Sequence, residues 1–471
     1  MRLKTVTLNN FRCFESLTLE LHPRLTVIVG ENGAGKTAIL DGIASGLTPT
    51  LTHLSSANQR LKGRGITDAD FRVQSVAGSR GKVQQSMADY AQLMLTTWGN
   101  LRWDYWRPSG GGYGHKPTET WGETALKEHL HAITASYKTE APALTPVFAY
   151  YGASRGHIDV PERLRSAKNN YEYPTSALVD CFNPRSNFRE MLAWFDQEQA
   201  DELSENKGVV AQEYAPWASL EAVRATVVSL LGGDYKNPHF KRRKFMLERA
   251  SDGAELLVNQ LSQGYQSMLA LAMDFARRLA IANPHLEYGN IFAHQQLLME
   301  VSSVLEGQDP ATYEPFQHAL TMSAPAIMLV DEIDLHLHPS WQQRVLGDLM
   351  RTFPLTQFIV TTHSPLVLAT APSDSVRILR GNQVFEAPAG IEGAEPGRVL
   401  TTAQGLKSER PPENEATKEL LEYLALVDKD QWKTPRALEL RQKLDARYQG
   451  NEPALLEADL LIENRKWELG E

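Results

Sequence analysis

Eight consecutive residues constrain this chain more than any others: Gly30-Glu31-Asn32-Gly33-Ala34-Gly35-Lys36-Thr37. They complete the pattern GxxxxGK[ST]. The continuous apolar run Leu25 to Val29 precedes them, and Ile39, Leu40, Ile43 and Leu47 follow at helical spacing. An unbroken apolar run suits a strand buried on both faces, and the later recurrence suits an amphipathic helix. Strand, glycine-rich turn and helix in that order predict a phosphate cradle. Glycines let backbone N–H groups turn inward, and a helix N-terminus favours anions. Asn32, Gly33 and Gly35 are expected to form the wall of this cradle around ATP. Lys36 is expected to reach the β- and γ-phosphates. The Thr37 hydroxyl is expected to ligate Mg2+, which prefers oxygen donors.

Three further segments fit the same chemistry. Ile327-Met328-Leu329-Val330 delivers Asp331 and Glu332 at the end of an apolar run, the edge where ligands sit in open α/β sheets. Asp331 is expected to hold Mg2+, and Glu332 to polarise the attacking water. Adjacent strand residues face opposite ways, so the turn after the strand has to present both. Leu261-Ser262-Gln263-Gly264-Tyr265-Gln266 heads a helical run through Leu269, Met273 and Ala276. A serine with a glycine two residues on, at a helix start, makes a second anion cradle; its plainer role is an N-cap. One nucleotide needs one cradle from its own fold. A second suggests ATP held between two subunits, with Ser262 and Gly264 facing the γ-phosphate of the partner's nucleotide. Thr361-Thr362-His363-Ser364-Pro365 ends another apolar run, where a histidine can donate to a γ-phosphate or hold water. His336 and His338 have metal-like spacing but no identifiable third ligand.

The rest of the chain bounds the context. At 471 residues with 42% hydrophobic content it has length for several structural units. No apolar run reaches the roughly 18 residues of a membrane helix, and the start MRLKTVTLNNF carries no apolar signal segment, so a cytoplasmic protein is expected. Two cysteines, Cys13 and Cys181, cannot build a disulfide framework. A net charge of −9 argues against a surface made for non-specific DNA binding, although Lys241 to Lys244 form a local basic run.

The expected organisation is an α/β P-loop NTPase head in two pieces, residues 1–51 and 255–385, with a mainly helical insertion over 52–254. A linker and C-terminal helical tail fill 386–471. Within the insertion, Asn100 to Glu123 reads as a Gly/Trp/Tyr-rich loop with a flexible tip at Ser109 to Gly114. Trp103, Tyr105 and Trp106 beside Arg102 and Arg107 suit a small core, or stacking on bases. Gly381 to Gly397 reads as linker. In the tail, three apolar faces are expected: Leu420, Leu421, Leu424 and Val427; Leu440, Leu444 and Tyr448; Leu456, Leu460 and Trp467.

The ordered set Asn10-Phe11-Arg12-Cys13-Phe14, GENGAGKT, LSQGYQS, LVDEIDLHLHP and VTTHSP resembles the SMC-like, RecF/OLD branch of ABC ATPases. The resemblance implies a head that dimerises over two ATP molecules, with larger rings of dimers left open. It also implies that Arg12 lies near the phosphates and Asp334 at the dimer seam. Gln263 and Tyr265 depart from the usual LSGGQ. No long coiled coil is expected, and 386–471 shows no room for a Toprim nuclease domain, so the chain is not expected to cut DNA itself. Pro146 to Arg155, Asn187 to Phe195 and Glu457 to Glu468 are similar to standalone defence ATPases of the PtuA type, found in Septu and retron systems. That likeness implies an HNH nuclease partner of the PtuB kind, and a retron reverse transcriptase with its nucleic acid as a further candidate. Two other readings share the motifs: a nucleotide-sensing scaffold with little turnover, and a RecF-like DNA repair ATPase that contacts DNA.

Overall fold

The computed structural model describes residues 1–56, 59–77, 83–110, 115–156, 173–184, 188–210, 213–286, 297, 320–406, 408 and 410–469. They form two compact units, Met1–Val399 and Leu400–Glu471.

The first unit is built on a six-stranded sheet. Its strands are β3 (Leu25–Gly30), β8 (Val147–Tyr151), β12 (Ala326–Val330), β13 (Thr356–Thr361), β14 (Val376–Arg380) and β15 (Gln383–Glu386), in the order β15-β14-β3-β13-β12-β8. All neighbours run parallel except β15, which returns antiparallel to β14. β8, β12 and β13 are buried along their whole length, as parallel strands covered on both faces must be. A second, antiparallel sheet has the order β2-β1-β6-β7, from β1 (Leu3–Phe11), β2 (Phe14–Glu20), β6 (Tyr90–Thr97) and β7 (Arg102–Pro108). Helix α1 (Lys36–Gly46) contributes Ile39, Leu40 and Ile43 to one core with Leu8 and Leu93 of this sheet and Ile359 and Leu379 of the first.

Residues 52–254 are not mainly helical. Beside α2 (Thr48–Leu54), α3 (Thr124–Ser136), α4 (Phe188–Glu205) and α5 (Ala218–Leu230), this stretch carries β6, β7 and β8. It also carries the pair β4 (Val73–Ala77) and β5 (Val83–Met87), and β9 (Tyr235–Lys241) with β10 (Lys244–Arg249). β11 (Glu255–Leu257) completes the sheet β11-β10-β9. β6 and β7 complete a sheet begun by β1, and β8 forms an edge of the six-stranded one, so the segment is woven into the head. The start of the aromatic stretch is likewise strand β7. Trp103 is fully buried, and its Nε1 donates to the Gly46 carbonyl at 2.8 Å, which places it in the core. Residues 111–114 of the expected tip lie outside the described residues. The basic run Lys241–Lys244 is the β9–β10 turn, with Arg242 and Arg243 left-handed and Lys241 paired to Glu255 at 2.5 Å. β15 occupies the start of the stretch expected to be linker.

Trp103→Phe keeps most of the packing but leaves the buried Gly46 carbonyl without its donor. The expected cost is about 1–3 kcal/mol, read by urea denaturation. A change within error would show that the α1 C-terminus does not depend on this bond.

The second unit packs helices Glu415–Asp428, Pro435–Tyr448 and Pro453–Leu469 around Leu420, Tyr423, Val427, Leu440, Leu444, Leu455, Ala458 and Ile462. The expected third face is wrong: Leu456, Leu460 and Trp467 are exposed, Trp467 by 85%. Apolar residues occur all round the last helix, so periodicity does not choose a face and packing does. Leu421 is also exposed.

Candidate functional site

β3 stops at Gly30, and α1 begins at Lys36 with Gly35 as its N-cap at φ +102°. That backbone region is open to glycine and strained for other residues. A Cβ on Gly35 would also lie 2.5 Å from the Phe14 ring and 2.7 Å from Cys13 Sγ. The β1–β2 turn therefore rests on the loop. Asn32 and Gly33 are exposed at its tip. Lys36 is buried, and its Nζ donates to the carbonyls of Gly30 at 2.9 Å and Glu31 at 3.0 Å. Burial pulls its pKa below the ordinary lysine value, against Asp331, Glu332 and Asp334.

The acidic pair meets this loop. Thr37 Oγ1 donates to Asp331 Oδ2 at 2.8 Å, and Thr361 Oγ1 donates to Asp331 Oδ1 at 2.6 Å. The same Thr361 oxygen accepts the Glu332 N–H at 2.7 Å. Glu332 turns left-handed, φ +49°, and Ile333 N–H returns to the Thr361 carbonyl at 2.9 Å. The change of hand at Glu332 is how the turn takes both acids off the strand's alternation. Thr37 and Asp331 offer a hydroxyl and a carboxylate side by side, an all-oxygen donor set that fits Mg2+. The glycine loop, left-handed at Gly33 and Gly35 and leading into the N-terminus of α1, fits a nucleotide phosphate.

Arg155 is the residue that sequence reasoning did not assign to the site. It is 3% exposed. Its Nη1 donates to the Asp331 carbonyl and its Nη2 to the Glu332 carbonyl at 2.6 Å. Burial draws its pKa down to about 10, although Asp331, Asp334 and Glu332 favour its charge. The guanidinium fork thus clamps the backbone of the acidic turn. The signal lay in Tyr150-Tyr151-Gly152-Ala153-Ser154-Arg155, where an apolar strand ends in a glycine turn carrying an arginine. Arg155→Gln removes the fork. It is expected to lower thermal stability by about 1.5–3 kcal/mol, the worth of charged hydrogen bonds, and to weaken activity together with it. Unchanged melting and turnover would show that the turn holds its shape alone.

The other assigned residues fall into two groups. Asp334 Oδ1 accepts from Thr362 Oγ1 at 2.5 Å and from the His363 N–H at 3.3 Å. The post-strand turn and the His363 segment are therefore tied within one chain, with the His363 side chain half-buried. His338 caps the short helix Pro339–Gln342. Arg12, left-handed at φ +52°, pairs with Asp41 of α1 at 2.7 Å and with Asp70 at 2.9 Å. Burial opposes the charge on Asp70, but hydrogen bonds from Arg64 and Thr67 hold its carboxyl at about 2.

Ser262 stands apart. It is the exposed N-cap of α6 (Gln263–Ala282) and makes no side-chain capping bond. Among the described residues it makes no hydrogen bond to Lys36, Thr37 or Asp331. Gly264 connects the two groups: a Cβ there would lie 2.7 Å from the His336 carbonyl oxygen. Tyr265 donates to Asp234 at 2.6 Å and meets the Trp341 ring at 4.5 Å.

Two family models match the chain. One, described as "AAA domain", covers residues 5–214; the other, described as "AAA domain, putative AbiEii toxin, Type IV TA system", covers 182–369. The protein named "Retron Ec83 probable ATPase" from Escherichia coli is 28% identical over 99% of this chain and 88% of its own length. Septu protein PtuA from Bacillus mycoides (strain KBAB4) is 45% identical over a shorter stretch, 14% of this chain and 9% of its own. A solved SMC head bound to the C-winged helix domain of ScpA aligns over 83% of this chain and 99% of that one, at 16% identity and a TM-score of 0.39. The phosphate loop, the sheet that carries it and the sequence matches agree: the chain has a P-loop, matches two AAA-domain models in successive stretches, and is similar to the retron ATPases and to Septu PtuA.

Proposed function

We propose that this chain binds and hydrolyses ATP as an ABC-type engine in a bacterial antiphage defence complex. One observation carries the reading: the Asp331 carboxylate is held between Thr37 of the phosphate loop and Thr361, with Glu332 presented beside it. Bound Mg2+ offsets phosphate charge. Thr37 and Asp331 supply its protein oxygens. The loop from Asn32 to Gly35 surrounds the phosphates, and Lys36 leaves the carbonyls of Gly30 and Glu31 to meet them. Glu332 orients the attacking water and takes its proton. His363 donates to the γ-phosphate, and Arg12 adds positive charge beside the loop.

The exposed Ser262 and the half-buried Gly264, with no hydrogen bond to their own phosphate loop among the described residues, support an ATP sandwich in which they complete a second subunit's site and Asp334 lies near the seam. Hydrolysis would remove contacts to both subunits, which makes the clasp two-state. The likeness to PtuA-type ATPases supports a role in the cytoplasm, with nucleotide state restraining or licensing an HNH nuclease. A retron reverse transcriptase and its nucleic acid are candidate further components.

The sandwich is tested by mixing two inactive variants. Lys36→Ala lacks its own cradle, and Ser262→Arg blocks the cradle it lends. A mixed dimer keeps one intact composite site. Each variant alone should be inactive, and an equimolar mixture should recover turnover. Failure to recover, with both variants folded, would overturn the shared site.

A further inference from the structure

Away from the phosphate loop, the first unit holds a cavity of about 730 Å³, within the range of small-molecule sites. It lies between α4, the N-terminus of α5 and the C-terminal end of α6. Its lining pairs two indoles, Trp194 and Trp217, with two carboxylates, Glu198 and Glu205. No lysine, arginine or histidine is among the described residues that line it. The neighbouring Glu202 is already answered, by Arg224 at 2.8 Å. Among the described residues, Glu198 has only a neutral donor in hydrogen-bond reach, Ser219 Oγ at 3.0 Å. Glu205 accepts from Trp217 Nε1 at 3.1 Å.

A separate observation comes from another lining residue. Thr321 lines the cavity and is 4% exposed, and its Oγ1 makes no hydrogen bond. Buried hydroxyls are normally paired, so this one is left with its lone pairs open to an N–H and its own O–H open to an acceptor. Carboxylates, an unpaired hydroxyl acceptor and aromatic faces together describe the complement of an organic cation. Aromatic faces attract ammonium and guanidinium groups, and the half-buried Glu198 and the exposed Glu205 supply the opposite charge.

We infer that this cavity binds an organic cation, an amine or guanidinium, with Glu198 as its counter-charge and Thr321 as a second acceptor. The cation is either a free small molecule or a lysine or arginine side chain of a partner segment. Burial, with Asp201 and Glu202 nearby, raises the Glu198 pKa, the condition a bound cation would reverse.

Calorimetry on the full chain distinguishes these sources. The probes are argininamide, N-acetylated so that the guanidinium is its one charge, and a capped Ala-Arg-Ala tripeptide, each with its neutral citrulline counterpart. Saturable binding of argininamide supports the proposal and shows that a free cation suffices. Binding of the tripeptide alone supports it and assigns the site to a partner's side chain. In either case Glu198→Gln should weaken binding by about tenfold or more, and Thr321→Val should weaken it less. ATP binding, read with a fluorescent analogue, should be unchanged in both variants, which verifies that they are folded. Absence of binding by both cationic probes overturns the proposal. So does equal binding of the citrulline controls, or a folded Glu198→Gln that binds as the wild type does.

Discussion

Glu332→Gln is expected to lower steady-state ATP turnover by about 10²–10⁴-fold, the usual contribution of a positioned general base, while ATP affinity stays close to that of the wild type. Glutamine keeps the size and an acceptor oxygen of glutamate but cannot take a proton. The local structure gives reason to expect so clean a separation. The turn is fixed through main-chain groups, by Arg155 on the carbonyls of Asp331 and Glu332 and by Thr361 on the Glu332 N–H. None of these contacts uses the Glu332 carboxylate. Turnover comparable to the wild type would remove Glu332 from the mechanism. Lost nucleotide binding would mean that its charge is needed to assemble the site.

The second large effect concerns stability. Asp274 on α6 is 3% exposed and accepts from Arg277 at 2.7 Å, Arg278 at 2.8 Å and the Tyr151 hydroxyl at 2.9 Å. Arg278 also donates to the carbonyls of Ala177 and Val179, at 2.6 and 3.0 Å. Asp274→Ala leaves two buried guanidinium groups without their carboxylate, a situation that costs about 3–5 kcal/mol. The loss should reach the acidic pair, because the Tyr151 carbonyl accepts the Asp331 N–H at 2.8 Å. Urea denaturation at neutral pH measures the cost, and a change within error would show that the cluster is not structural. Burial raises the Asp274 pKa, but Arg278 and Arg277 overcome this and hold it at about 2 against an ordinary 3.8. A depressed carboxyl stabilises the fold fully above its unfolded value and loses that contribution as pH falls towards the folded value. The wild type should therefore lose stability between about pH 4 and pH 2 in a step that Asp274→Asn lacks.

The cradle and its acids were readable from sequence because their chemistry is local. Gly35 needs a positive φ and room for Phe14 and Cys13, and Asp331 follows an apolar run that only a buried strand explains. Arg155 was not readable as a site residue, because it serves backbone carbonyls on a turn more than a hundred residues away in the chain. The strands within 52–254 were misread for a related reason. β6 and β7 have mixed patterns, and β6 pairs with β1 more than eighty residues earlier in the sequence, so no local period announces them. The last helix failed in the opposite way: its apolar residues point in all directions, and only its neighbours decide that Ile462 is covered and Leu460 is not.

The strand order of the main sheet also sets a timetable for biosynthesis. β3 lies between β13 and β14, with Val27 opposite Val360 on one side and Val376 on the other. On the ribosome, the phosphate loop emerges more than 300 residues before β13 and β14, the two neighbours of its strand. Non-local pairing of this kind is slow, and unpaired strand edges invite association. A nascent chain that stops short of β13 therefore carries the whole phosphate loop without the neighbours of its strand, so the site is assembled only after both have been made.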